Sequence, residues 1–75
     1  MANHIYKMID IVGSSPDGVT DAMRKAVARA SKTLHNLDWI ELVGVRGHIQ
    51  NGQIEHFQAT VKIGFRLEEQ DDKIP

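Results

Sequence analysis

Seventy-five residues with a formal net charge of -1, no cysteine and 41% hydrophobic content make one small domain with room for a single core. The near-neutral balance removes the usual electrostatic reason to bind nucleic acid, and the missing cysteines exclude a disulfide scaffold and suit a reducing compartment. A chain this short buries only about 60% of its unfolded surface, so ligands or further subunits are expected to share in its stability.

The first residues, Met1-Ala2-Asn3-His4, carry no basic segment followed by an apolar run, and no stretch approaches the ~20 apolar residues of a membrane span. A cytoplasmic protein is expected. Residues 4–13 alternate with Ile5, Ile9 and Ile11 on one side and Tyr6, Met8 and Val12 on the other, a first strand that wants cover on both faces. Ser14-Ser15-Pro16-Asp17-Gly18 then predicts a helix start, with serine as cap, proline at the first helical position and aspartate at the positive dipole end.

A helical period runs over 19–34. Val19, Ala22, Met23, Ala26, Val27, Ala30 and Leu34 share one arc, while Asp21, Arg24, Lys25, Arg29 and Lys32 lie opposite. The alanine row lets the helix approach a sheet closely. Asp21 and Lys25 are spaced for an i, i+4 ion pair, and Asn36 suits a left-handed cap after the helix. The basic helix face reads as solvated surface that could also collect a ligand phosphate.

Two long strands follow, joined by Asn51-Gly52, the strongest short-range hairpin signal. With Gln50 opposite Gln53, uniform pairing sets Ile40 against Ile63, Leu42 against Val61 and Gly44 against Ala59 on one face. Glu41 then meets Lys62 as an ion pair, Val43 meets Thr60 and Val45 meets Gln58 on the other, with a bulge near Gly44 or Gly47 as the alternative. In that register Trp39, Glu41, Val43, Val45 and Gln58 face away from the helix. This chain has no second helix to cover them, and strands of roughly 50 Å outrun the one it has, so self-association is expected. Residues 69–75 (Glu69-Gln70-Asp71-Asp72-Lys73-Ile74-Pro75) are acidic and aperiodic, which predicts a solvated, disordered tail after a single domain over 1–68.

No nucleophile elbow or phosphate loop is visible, so no catalytic residue is assigned. His4, His35, His48 and His56 lack the spacing of a metal site along the chain, and no metal is expected. Trp39 and Gln58 are the informative pair. An indole on an open sheet face either seals an interface or stacks on a planar ligand, the latter worth on the order of 1–3 kcal/mol. The amide of Gln58 matches the C=O and N–H edge of a uracil-like ring. The two lie about 20 Å apart along the sheet, so a shared ligand needs both from different subunits.

Several segments together resemble the dodecins, a family of small flavin-binding proteins: Val12-Gly13-Ser14-Ser15-Pro16-Asp17-Gly18, Ala30-Ser31-Lys32-Thr33-Leu34, Asn36-Leu37-Asp38-Trp39, and Val45-Arg46-Gly47-His48-Ile49 with Phe57-Gln58. The resemblance implies an α+β, β-α-β-β fold. Its three-stranded antiparallel sheet would partly wrap one helix, in a hollow homododecamer that holds flavin pairs between subunits. By position, Trp39 resembles the tryptophan that stacks on the isoalloxazine and Gln58 the glutamine that bonds its pyrimidine edge. Arg46 stands where bacterial members favour FMN over riboflavin or FAD, and Arg66 is a further phosphate contact. Some members also hold coenzyme A, for which the positions would be Tyr6, Arg29 and Lys32. His35 departs from the more basic residue common there.

The implied role is non-catalytic: flavin storage, with photochemistry quenched by the indole. Its rivals are an oligomeric scaffold in which Trp39 only seals contacts, and a subunit of a flavin-dependent oxidoreductase.

Overall fold

Asn51 (φ 55°) and Gly52 (φ 76°) both hold positive φ, the conformation that a two-residue type I′ turn requires. They join β2 (Leu37–Gln50) to β3 (Gln53–Arg66) with Gln50 opposite Gln53. β1 (Tyr6–Ser15) lies antiparallel along the other edge of β3, giving the order β1-β3-β2, and α1 (Val19–Ala30) packs on one face. This computed structural model describes residues 4–67. The α+β fold is the expected one, β-α-β-β with a three-stranded antiparallel sheet. The segment 69–75 lies outside the described residues. Among the described residues no helix is long and apolar enough to cross a membrane.

Both ends of the helix differ from the sequence expectation. Ser14 and Ser15 stay in β1, opposite Gln58 and Phe57, because the ladder to β3 offers their backbone more than a helix start would. The helix begins later, with Gly18 (φ 134°) as N-cap and no side-chain cap. Buried Ser15 instead ties strand to helix: its hydroxyl accepts from the Asp17 N–H at 2.9 Å and donates to Asp21 Oδ2 at 2.5 Å. At the other end α1 stops at Ala30, and turns carry the chain on, with the Leu34 N–H bonded to the Ala30 carbonyl at 2.9 Å. Asn36 does take the left-handed conformation (φ 62°), yet its task is to seat the chain on β3, where its carbonyl accepts from the Arg66 N–H at 3.1 Å.

The alanine row works as expected. Ala22, Ala26 and Ala30 are buried with Ala59, Val61 and Ile63, and Ile9, Ile11, Val27, Leu37 and Ile40 pack around them. Gly13 lies directly under the helix. A Cβ there would collide with the Ala22 carbonyl oxygen, so the approach of helix to sheet is set by what position 13 lacks.

The hairpin register holds at first and then shifts. Ile40 opposes Ile63, Glu41 opposes Lys62 and Leu42 opposes Val61, after which a bulge leaves Val43 unpaired. Gly44 then opposes Thr60, Val45 opposes Ala59 and Arg46 opposes Gln58. The uniform pairings of Gly44 with Ala59, Val43 with Thr60 and Val45 with Gln58 are therefore incorrect. Because one extra residue exchanges the faces of everything beyond it, Val45 turns to the helix side and Arg46 to the outer side. A compensating irregularity between His48 and Ile49, which skips Glu55 on β3, returns the strands to step before the turn.

Asp21 and Lys25 form the expected pair at 3.2 Å. The expected Glu41–Lys62 ion pair is not made, although the two residues are opposite. Lys62 reaches Asp10 on β1 at 2.9 Å. β3 is the central strand, so Lys62 has an acidic neighbour on each side, and the hairpin viewed alone hides the one it takes.

The described structure measures 55 × 20 × 19 Å, with a Cα radius of gyration of 15.7 Å, against about 11 Å for a compact chain of this length. Twelve helical residues span about 18 Å. The far half of the hairpin therefore extends beyond α1, and Val45, Ile49 and Ile54 are left 48–68% exposed.

Candidate functional site

Two groups of side chains occupy the sheet face opposite α1, one at each end. At the first, a bulge at Asp38 separates two residues that strict alternation would keep together: Leu37 opposes Phe65 and joins the core, while Trp39 opposes Gly64 and points outward. The indole lies directly on Gly64, in the space a side chain there would fill. Beside it stands Tyr6, with ring centroids 4.9 Å apart and planes at 57°. Tyr6 belongs to the same face because it pairs with Arg66, one outward position beyond Gly64. Trp39 keeps 39% of its surface exposed, on the sheet face that Gly64 shares. The result is a flat aromatic plate on a glycine seat.

At the second group, Arg46 Nε donates to Gln58 Oε1 at 2.7 Å across the β2–β3 ladder. The bond exists because the Val43 bulge brings Arg46 opposite Gln58. Guanidinium anchoring takes one lone pair of the amide oxygen and fixes the plane of the group, which leaves the amide N–H₂ and a second lone pair for an adjacent acceptor and donor. Along β3, Gln58 and Gly64 are separated by about 20 Å, so one chain does not bring Trp39 and Gln58 to one small ring.

Arg66 is exposed at the Trp39 end of the sheet, next to Tyr6 across the ladder. Arg29 lies elsewhere. It lines a cleft of about 600 Å³ between α1 and β1, with Ile9, Gly13, Lys25 and Leu34 among the other walls. Lys32 is exposed in the turn after α1. Tyr6 thus sits on the opposite face of the sheet from Arg29, and the three positions named for coenzyme A do not converge within a single chain.

Two contributors were not singled out in the sequence. Gly64 is one, though an isolated glycine in a strand interior is itself a signal of close approach. The aromatic partnership of Tyr6 with Trp39 is the other, and it joins residues of separate strands that only the β1·β3 pairing relates. Among the described residues no group of three or more His, Cys, Asp or Glu side chains gathers as a metal centre. The Ser15 hydroxyl, followed by the Lys25 ammonium, holds the Asp21 carboxyl below its ordinary value. Those contacts join β1 to the start of α1.

Comparison with known proteins agrees with this geometry. The family model described as dodecin matches residues 5–68. A curated dodecin of Thermus thermophilus is 43% identical over 65 residues, covering 87% of this chain and 94% of its own. Among solved structures, the dodecin from Streptomyces davaonensis superposes with a TM-score of 0.88 at 59% identity over 91% of this chain and 100% of its own. That from Streptomyces coelicolor gives 0.88 at 56% identity, over 92% and 99%. The aromatic plate, the bulged hairpin and these matches over nearly the whole chain lead to one conclusion: the protein belongs to the dodecin family.

Proposed function

We propose that this protein binds and stores flavin, with FMN preferred over riboflavin or FAD, and that it does so as a homododecamer without catalysing a reaction. The observation that carries this reading is the unroofed indole of Trp39, laid flat on Gly64 where a planar ring can stack on its open side. Stacking of that kind contributes on the order of 1–3 kcal/mol.

The chemistry of the polar group fits the same ligand. A flavin's pyrimidine edge presents carbonyl oxygens flanking an N–H, and Gln58, oriented by Arg46, offers a donor and an acceptor in one plane. Arg46 also supplies the fixed positive charge that suits a phosphorylated side chain. Arg66, at the Trp39 end of the same face, is a second phosphate contact. Since Trp39 and Gln58 are far apart within one chain, each binding site draws its indole and its amide from different copies. The exposed apolar strip of the overhanging hairpin supports such assembly. Coenzyme A is a second ligand in this reading, with Arg29 and Lys32 of one copy and Tyr6 of another.

Bound flavin supplies an electron-poor, light-absorbing ring. Trp39 would hold that ring by stacking, and its electron-rich indole would quench the excited state by reversible electron donation, so that the absorbed energy would leave as heat. Tyr6 packs against the indole with the ring planes tilted by 57°. No general acid, base or nucleophile is required.

Titration of FMN with purified protein tests the proposal. Emission is expected to fall to a low plateau at a fixed ratio of flavin to chain. Emission that stays at the free-flavin level at stoichiometric protein overturns it, and bleaching of bound flavin by NADH would favour the oxidoreductase alternative.

A further inference from the structure

His48 and His56 lie directly opposite one another on β2 and β3, one outward position closer to the turn than the Arg46–Gln58 pair, and both are exposed. Directly opposed residues of an antiparallel ladder share a face with Cβ atoms about 4.5–5.5 Å apart. From that separation two imidazoles can each direct a ring nitrogen to a common point, at the roughly 2.0–2.1 Å that a Zn–N bond requires.

We propose that His48 and His56 form a cross-strand two-histidine site for a borderline divalent cation of the Zn²⁺, Ni²⁺ or Cu²⁺ class, for which neutral imidazole is the suited ligand. The expectation of no metal rested on distances along the chain, where these residues follow none of the usual ligand spacings. The hairpin replaces sequence spacing with a ladder rung. Gly47, between Arg46 and His48, and the step in register that skips Glu55 re-aim the strand at this point. Arg46, on the adjoining outward rung, is bonded to Gln58, which holds its guanidinium within its own rung. Among the described residues no third ligating side chain of the same chain joins the pair, so water fills the remaining coordination positions. The rung adjoins the Arg46–Gln58 pair, but the inference does not depend on flavin binding.

The test is calorimetric titration of the full-length, flavin-free protein with Ni²⁺ and with Zn²⁺, beside the electron paramagnetic resonance spectrum of a Cu²⁺ sample. One metal bound per chain and a spectrum with two equatorial nitrogen ligands are the expected results. His48→Gln and His56→Gln should each abolish stoichiometric binding, whereas His35→Gln, in the loop before β2, should leave it unchanged. Circular dichroism and particle mass confirm that each variant folds and assembles. Absence of binding by the unaltered protein overturns the proposal. So does stoichiometric binding that survives in either His48→Gln or His56→Gln, or that is lost in His35→Gln.

Discussion

The indole of Trp39 occupies the volume in which a side chain at position 64 would stand, so Gly64 and Trp39 form one unit of the sheet's outer face. A methyl group at 64 must displace the ring. Gly64→Ala is expected to destabilise the protein by about 1–3 kcal/mol, the usual cost of overpacking, and to shift the tryptophan emission. Denaturant unfolding followed by fluorescence checks both. An unchanged midpoint together with an unchanged emission maximum would contradict the seat-and-plate arrangement.

Removal of the plate separates ligand binding from assembly. Trp39→Ala should lose roughly 5- to 150-fold in flavin affinity, the equivalent of the stacking contribution, while light scattering reports an intact particle. Collapse of the particle, with affinity per assembled site retained, would instead make Trp39 a sealing residue and favour the scaffold alternative.

Arg46 and Gln58 should behave as a coupled pair. Arg46→Ala is expected to weaken FMN more than riboflavin, because only FMN carries the phosphate, and Gln58→Ala to weaken the two flavins alike. A double-mutant cycle measured with riboflavin should show coupling of about 0.5–1.5 kcal/mol, the range of a typical intramolecular hydrogen bond. Additivity would mean that the 2.7 Å bond does not orient the amide in solution.

Gly13 governs how closely α1 approaches the sheet. Gly13→Ala drives a methyl group into the Ala22 carbonyl oxygen, backbone that cannot rotate aside. A loss of about 1–3 kcal/mol is expected, or several degrees in melting temperature for each kcal/mol in a domain of this size. Scanning calorimetry at fixed protein concentration measures it, since an assembled protein melts in a concentration-dependent way.

Acid should loosen the junction of β1 and α1. The Ser15 hydroxyl first, and Lys25 second, hold the Asp21 carboxyl below its ordinary value of 3.8. A carboxylate with a folded-state pKa below its unfolded one gives stability that is fully present above the unfolded value and lost as pH falls through the folded one. The difference in stability between the unaltered protein and Ser15→Ala should thus be largest near neutrality and narrow as pH drops below 3.8, leaving the pH-independent cost of the lost Asp17 N–H bond. Urea midpoints across that range decide it, and a difference independent of pH would exclude the carboxylate as the hydroxyl's partner.

Local chemistry determined much of this protein from its sequence. The Asn51-Gly52 turn, the alanine row and the apolar alternation each depend on residues a few positions apart, and from them follow the hairpin, the helix with its buried face, and an indole turned from the core. The first rungs, from Ile40–Ile63 to Leu42–Val61, were legible for the same reason. The resemblance carried by the segments around Pro16, Trp39 and Arg46 added the family.

Tertiary structure decided what depended on distant residues or on a single inserted one. Gly44 and Gly47 marked β2 as a strand that could bulge, but only the paired strands show that Val43 is the residue skipped, and that residue decides whether Gln58 meets Val45 or Arg46. Lys62 chose Asp10 over Glu41 because β1 docks on β3, a pairing that loop closure across the whole helix had to bring about. Tyr6 reached Trp39, and Ser15 left the helix cap for the strand, through the same docking. Periodicity reports which side of an element is apolar. The neighbour that each side chain meets is settled only when the strands lock in register.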